Sequence, residues 1–358
     1  MTRELEFKEA RYIDVPATQG RASFHYVIAT PSEASATRID PNLPTVLLFS
    51  PTFSGAFAYQ RQFRDPQLRQ FNLVSFDYLG QGHSRGEISL EYTAAGMAED
   101  AARLMEALSL PACYFWGEAL GTYIAIQVAT RYPERCRGLV LLSPLCTEEI
   151  PEVAHGRRYI TDNWIESAQS SEGVDHEALW AAVRAAIILA CGEPSPSLFT
   201  RVVSNLTVHL ALKLWDKDHL TAAELMMYGA AANRRSRSPE ELRQLGDRPV
   251  AVVYGTADIA YSPEHHLIFV DQLRKADVPV EVHALEGAPE AIHFMRAKEV
   301  NSILYDLVVA HSPEFKQNPL VGDEPLPTAF DRLLRVAGWQ EDENEAVQCE
   351  SFDVKLFS

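Results

Sequence analysis

No stretch of this chain reaches the roughly 18 consecutive apolar residues that a membrane-spanning helix needs. The first residues, MTRELEFKEARYIDV, lack the apolar core of a secretory signal. We therefore expect no membrane span and a cytoplasmic location. Cysteine is sparse: there are five, at positions 113, 136, 146, 191 and 349, with no C-x-x-C pair. That argues against a disulfide framework and for buried free thiols in a reducing compartment. Basic charge is also in short supply, 32 Lys and Arg against 49 Asp and Glu, for a net charge of −17. Such a balance opposes binding to nucleic acid or anionic membrane. The one dense basic run, Arg234-Arg235-Ser236-Arg237, reads as a solvated loop. No phosphate-cradling P-loop is present, and no G-x-G-x-x-G follows a strand. His265 and His266 are adjacent, so on a helix they diverge by about 100°. No Cys, His and carboxylate set has ligand spacing along the chain, and neither metal nor cofactor is expected.

What is present is regular. The 358 residues are 47% hydrophobic and 23% charged, ordinary for a globular protein large enough to bury a substantial core. ARYIDV and ASFHYVIAT alternate apolar and polar positions around Gly20, which predicts two strands joined by a turn. TVLLFS, FNLVSFDY, ACYFW, GLVLLS, PVAVVYG and PVEVHAL are short apolar runs suited to strands covered on both faces. Helical patterns separate most of them; from Tyr92 to Leu108, residues Met97, Ala101, Leu104, Met105 and Leu108 form one stripe. The expected fold is α/β, a mostly parallel sheet with helices on both faces.

The alternation stops between Thr147 and Leu245, where only helical patterns occur. Thr221-Ala-Ala-Glu224 and Ser238-Pro-Glu-Glu241 read as capping boxes there. The expected organisation is a core of residues 1–146 and 246–311, an α-helical cap of residues 147–245, and an extension of residues 312–358. That extension holds one short helix, near Thr328 to Val336, and an acidic tail.

The chemistry turns on one missing residue. Gly117-Glu118-Ala119-Leu120-Gly121 follows an apolar strand and opens a helix, the setting of a G-x-S-x-G nucleophile elbow without its serine. In that frame Glu118 precedes the apex and points elsewhere. An acid and a histidine follow in the chain order such a frame requires. Asp258 stands at the end of the PVAVVYG strand, and His293 lies in the loop after PVEVHAL. An oxyanion hole needs two backbone N–H groups. Leu120 is placed to supply one, and Thr52 or Phe53, in SPTFSGAF, the other.

On these segments the chain resembles the α/β-hydrolase superfamily, in its branch with a helical lid. The likeness covers residues 10–310. FDYLGQGHSRG is similar to that family's D-x-x-G-x-G-x-S segment, and GEALG to G-E-S-L-G. The resemblance implies that Asp258 is the triad acid, His293 the base, and Ala119 the occupant of the nucleophile's place. Ser50-Pro51 departs from the family's usual His-Gly, which leaves the choice between Thr52 and Phe53 open.

A methyl group cannot attack a carbonyl. Two histories account for Ala119: a deliberate Ser→Ala change that traps substrate, or a natural pseudo-hydrolase that keeps its pocket for binding. Retention of Asp258, His293 and the elbow together favours the first. The parent is then expected to cleave an ester or lactone of a hydrophobic or aromatic small molecule, held against Trp164, Trp180 and Trp215 of the cap. A polyketide-like lactone is one such substrate. C–C hydrolysis, acyl transfer, thioester or amide cleavage, ligand binding alone, and an interaction role for the acidic tail stay open. Haloalkane or epoxide chemistry fits less well, since it places aspartate at the apex.

Overall fold

The computed structural model describes residues 10–145, 147–170, 173–192, 197–318, 322 and 324–340. Cys146, Cys349 and the acidic tail from residue 341 onward lie outside them. Cys113, Cys136 and Cys191 are free thiols.

Each apolar run becomes a strand: β1 Arg11–Ala17, β2 Gly20–Ala29, β3 Thr45–Phe49, β4 Asn72–Phe76, β5 Cys113–Glu118, β6 Cys136–Leu142, β7 Val250–Gly255 and β8 Val280–Leu285. They form one eight-stranded sheet in the order β1-β2-β4-β3-β5-β6-β7-β8. β1, β2 and β4 pair antiparallel, and every pairing from β4 to β8 is parallel. The alternating β1 has one exposed side, while β3 and β4 are buried along their whole length. That is the difference between a half-covered edge hairpin and central strands sandwiched by helices.

Helices α1 (Ala94–Ala107) and α2 (Leu120–Arg131) pack against each other and the sheet. In α1, Met97, Ala101, Leu104 and Met105 are fully buried, as the stripe predicts, and Leu108 follows the helix end half-buried. The two faces of the sheet carry separate apolar cores. Phe115 and Leu139 belong to one; Trp116, Val140 and Ile292 belong to the other. Strand alternation makes this division, because successive side chains leave on opposite faces.

Between β6 and β7 the described residues contain no strand. They form α3 (Pro151–Gln169), α4 (His176–Cys191), α5 (Leu198–Leu214) and a run of short helical turns ending at Leu245. Ser238 and Glu241 close a reciprocal capping box with Pro239 at the first helical position. Thr221 does not cap: the short helix starts at Leu220, after His219, which leaves Thr221 within its first turn and corrects the sequence expectation. The basic run is corrected too. Arg234 and Arg237 are buried. Arg234 pairs with Glu149 at 2.9 Å, and the Arg237 guanidinium lies 4.8 Å from the centre of the Tyr123 ring.

After β7 come α6 (Pro263–Lys275) and, after β8, α7 (Ala297–Ala310). A final helix, α8 (Asp331–Val336), docks on the body. Phe330 packs edge-on against Phe63 at 5.2 Å, and Asp331 accepts a 2.7 Å hydrogen bond from Gln60. No helix among the described residues is long and apolar enough to cross a membrane.

Candidate active site

Ala119 joins β5 to α2 at φ 46° and ψ −118°. A non-glycine residue in this region costs on the order of 1–3 kcal/mol and persists only when its surroundings impose it. The surroundings here are explicit. A Cβ on Gly121 would lie 2.1 Å from the Phe49 carbonyl oxygen, and one on Gly117 2.8 Å from the Thr122 backbone. Only hydrogen fits at either place, so strand and helix meet closely and the intervening residue is forced to the apex. The Ala119 N–H donates to the Leu142 carbonyl at 3.0 Å. Thr122 donates to the Ala119 carbonyl at 2.6 Å and accepts from the Leu145 N–H at 3.0 Å. Thr122 is thus a brace for the turn.

His293 lies in a short helix, Ile292–Met295, after β8. The Gln62 side chain donates to its carbonyl at 2.7 Å, and the Tyr59 ring stands edge-on to the imidazole at 5.6 Å. Ala119, Glu118 and His293 all line one cavity. The structure differs from the sequence reading in which acid meets the imidazole: His293 Nδ1 contacts the Glu118 carboxylate. Glu118 was expected to point elsewhere. It shares strand parity with Tyr114 and Trp116, however, and so leaves the sheet on the face that carries Ile292 and the histidine. Asp258 instead accepts from the N–H groups of Ala260 and Tyr261 at 2.8 and 2.9 Å. Its other oxygen lies 3.5 Å from His266 Nε2, and His266 stacks on Tyr254 at 5.1 Å. Asp258 and His293 form no hydrogen bond or ion pair.

Burial governs the Glu118–His293 pair. It pushes the carboxyl well above the usual range, against the opposing hydrogen bond from the His293 N–H. It pushes the imidazole well below its usual value, and the nearby Arg61 charge adds to that. Both shifts disfavour charge on the resting pair.

The loop after β3 brings Thr52 and Phe53 to the same cavity. Phe53 has φ +66°, a second strained non-glycine residue beside Ala119. As the first residue of α2, Leu120 has an N–H with no acceptor inside its own helix. Asp77, from the D-x-x-G-x-G-x-S segment, pins this loop: one oxygen accepts from the Ala56 N–H at 2.7 Å, the other from the His83 N–H at 2.7 Å and His25 Nδ1 at 2.8 Å. Burial opposes the charge on Asp77, but the two histidines outweigh it and hold the carboxylate below its usual pKa. His25, Asp77 and His83 offer metal-ligand atoms within 4.8 Å of one another. Spacing along the chain does not reveal this cluster, because residues 25 and 77 come together only through the pairing of β2 with β4. The hydrogen bonds of Asp77 account for the cluster as a loop lock.

The cavity has a volume of about 160 Å³, close to the roughly 150 Å³ that holds a benzene molecule. α4 and α5 roof it with Val183, Ile187, Leu189 and Val203. None of the three expected tryptophans lines it. Trp164 and Trp215 are fully buried and pack edge-on against Phe53 at 5.7 and 5.2 Å, and Trp180 is half-buried elsewhere on α4. These rings pack against Phe53 outside the cavity and leave a mostly aliphatic wall. Sequence reading missed two polar residues of that wall, Arg157 of α3 and Glu290, three positions before the histidine.

The family model described as alpha/beta hydrolase fold matches residues 45–295. A stretch of 104 residues is 31% identical to a protein of Serratia proteamaculans named as a carbamate hydrolase, RutD, covering 29% of this chain and 39% of that protein. The chain therefore spans about two fifths of that curated relative. A thermophilic esterase from Thermogutta terrifontis superposes with a TM-score of 0.62 at 18% identity, covering 84% of this chain and 99% of its own. An enol-lactonase from Burkholderia xenovorans LB400 gives a TM-score of 0.61 at 18% identity, covering 83% and 99%. The elbow, the eight-stranded sheet and the family match agree: this chain belongs to the alpha/beta hydrolase fold family.

Proposed function

We propose that the chain carries the frame of a serine hydrolase for carboxylic esters or lactones of small hydrophobic molecules about one ring in size. Ala119 stands where the nucleophilic serine belongs. The observation that carries this reading is the apex itself: Ala119 holds a strained elbow geometry while facing the same cavity as His293. Alanine gains nothing from that geometry, whereas serine there gains a hydroxyl presented to a base.

With serine at 119, its oxygen adds to the substrate carbonyl as the hydroxyl proton passes to His293. Backbone N–H groups of Leu120 and of Thr52 or Phe53 hold the oxyanion. Collapse expels the alcohol, which takes the proton from His293, and leaves an acyl-enzyme. Water, giving a proton to His293, then releases the acid. Glu118 orients the imidazole and balances its charge in this scheme, the role the sequence assigned to Asp258. The helices between β6 and β7 act as a cap that shapes the pocket and excludes water. With Ala119 the covalent route is closed, and the chain binds its substrate class without turning it over. The structural neighbours named esterase and enol-lactonase support acyl chemistry in this fold.

Ala119→Ser tests the reading. On p-nitrophenyl esters and aromatic lactones, turnover should rise by about 10³-fold or more over the Ala119 chain. A fluorophosphonate should label the serine form alone. A serine form that neither labels nor turns over would leave a ligand-binding protein on a hydrolase fold.

A further inference from the structure

Outside the reacting centre the mostly apolar cavity wall carries the small polar side chains of Ser54, Ser204 and Thr207 and two ionisable ones, Arg157 and Glu290. Arg157 is 8% exposed and Glu290 6%. Arg157 Nε donates to Glu149 at 3.1 Å and one terminal nitrogen to the Tyr261 hydroxyl at 3.3 Å. Its remaining nitrogen, Nη1, has no partner among the described residues. The Glu290 carboxyl likewise has none; only its backbone carbonyl is used, accepting from Ser143 at 2.7 Å. No ion pair joins the two side chains, yet both face the cavity. Buried polar groups are normally hydrogen-bonded, and leaving one unmade costs about 1–3 kcal/mol.

The charges around Arg157 bear on what it can bind. Glu149 is shared: it takes the Arg157 contact, two hydrogen bonds from Arg234 at 2.9 and 3.1 Å, and the Tyr261 hydroxyl at 2.8 Å. One carboxylate thus serves two guanidiniums, so the counter-ion in contact with Arg157 is shared. Burial, with the Asp258 charge adding to it and the Arg157 charge opposing it, raises the Glu290 pKa to about 8, which favours a carboxyl that keeps a donor proton near neutral pH.

We infer that Arg157 and Glu290 form an anion subsite, and that the ligand is a small hydrophobic molecule carrying its own carboxylate. The carboxylate takes the free N–H of Arg157 on one oxygen and the Glu290 hydroxyl on the other. Its apolar body lies under Val183, Ile187 and Leu189, and the scissile carbonyl reaches Ala119. A carboxylate accepts both donors at once; a carboxamide offers one oxygen and sets its NH₂ against a donor. This inference rests on the proposed role of the cavity as the substrate site.

The experiment is calorimetric titration of the unaltered chain, in which Ala119 prevents turnover, with benzoate and phenylacetate against benzamide and phenylacetamide. The carboxylates should bind at least about 10-fold tighter than their amides. Arg157→Met should abolish that preference, and Arg157→Lys, which keeps a charge, should recover part of it. Equal binding of acid and amide would mean that the two groups are served by water, and would overturn the inference. So would an Arg157→Met chain that keeps the preference. Neither result touches the elbow: the Ala119→Ser form would still label and turn over neutral esters. Conversely, carboxylate selectivity beside an inert Ala119→Ser form would retain the subsite and refute the hydrolase reading.

Discussion

At the scale of single residues, Glu118 carries the sharpest consequence. In an Ala119→Ser background, Glu118→Gln would place an amide N–H against His293 Nδ1 and force the wrong imidazole tautomer. By analogy with acid-to-amide changes in serine-protease triads, kcat should fall by roughly 10²–10⁴-fold. Asp258→Asn leaves the Glu118–His293 contact in place and should cost less than about 10-fold. Steady-state kinetics of the two double variants decide which carboxylate serves the histidine; the reverse ranking would return that role to Asp258.

Glu290 makes a separate statement about pH. Its carboxyl is approached by the charged or titratable groups of Arg157 on α3, Glu149 before it, Cys191 at the end of α4, and Glu118 of β5. From the loop after β7 come Asp258 and Tyr261, and His293 shares the cavity. Burial leads the upward shift, from 4.5 to about 8. The folded chain then holds a proton that the unfolded chain has released, so this group lowers stability progressively from about pH 4.5 to about pH 8. Glu290→Gln should remove that slope and raise Tm most at pH 8, measured by thermal melts across the range.

At the scale of elements, the β5–α2 turn shows what was legible in the chain. Two glycines four apart, between an apolar strand and a helix, identify a junction that no side chain can enter, and the structure has that junction. The strands were equally plain because runs such as TVLLF have one length and one burial on both faces. What the chain hid were contacts between elements. The parity that turns Glu118 toward His293 could have been counted from Trp116. The withdrawal of Trp164 and Trp215 behind Phe53, and the burial of Arg234 on Glu149, depend on how α3, α5 and the loop before Arg234 pack in space. The turn also yields a test. Ala119→Gly relieves a strained φ of 46° at the cost of backbone entropy, and the relief is the larger of the two effects. Chemical denaturation should show a gain of about 1 kcal/mol. A loss would mean that the elbow is not strained at alanine.

At the scale of the whole molecule, the last described segment is joined to the histidine through one short helix. Thr328 and Asp331 bind Gln60, at 2.6 and 2.7 Å. The next two residues, Arg61 and Gln62, hold the carbonyls of Phe294 and His293. Phe330, Leu333 and Leu334 are fully or almost fully buried against the body. Deleting residues 326–358 should therefore cost on the order of 5 kcal/mol in stability. In the Ala119→Ser form it should also lower kcat more than it raises KM. A truncated chain with full stability and kcat would show the segment to be ornamental.

That linkage gives the far end of the chain a vantage on the pocket it never enters. A fluorescent label beside Trp339, which is almost fully buried and lies 5.1 Å from the Arg64 guanidinium, would sit on the same lever that carries Gln62. Ligand entry could then be read as a change of signal outside the cavity, with no reporter inside to compete for its narrow space.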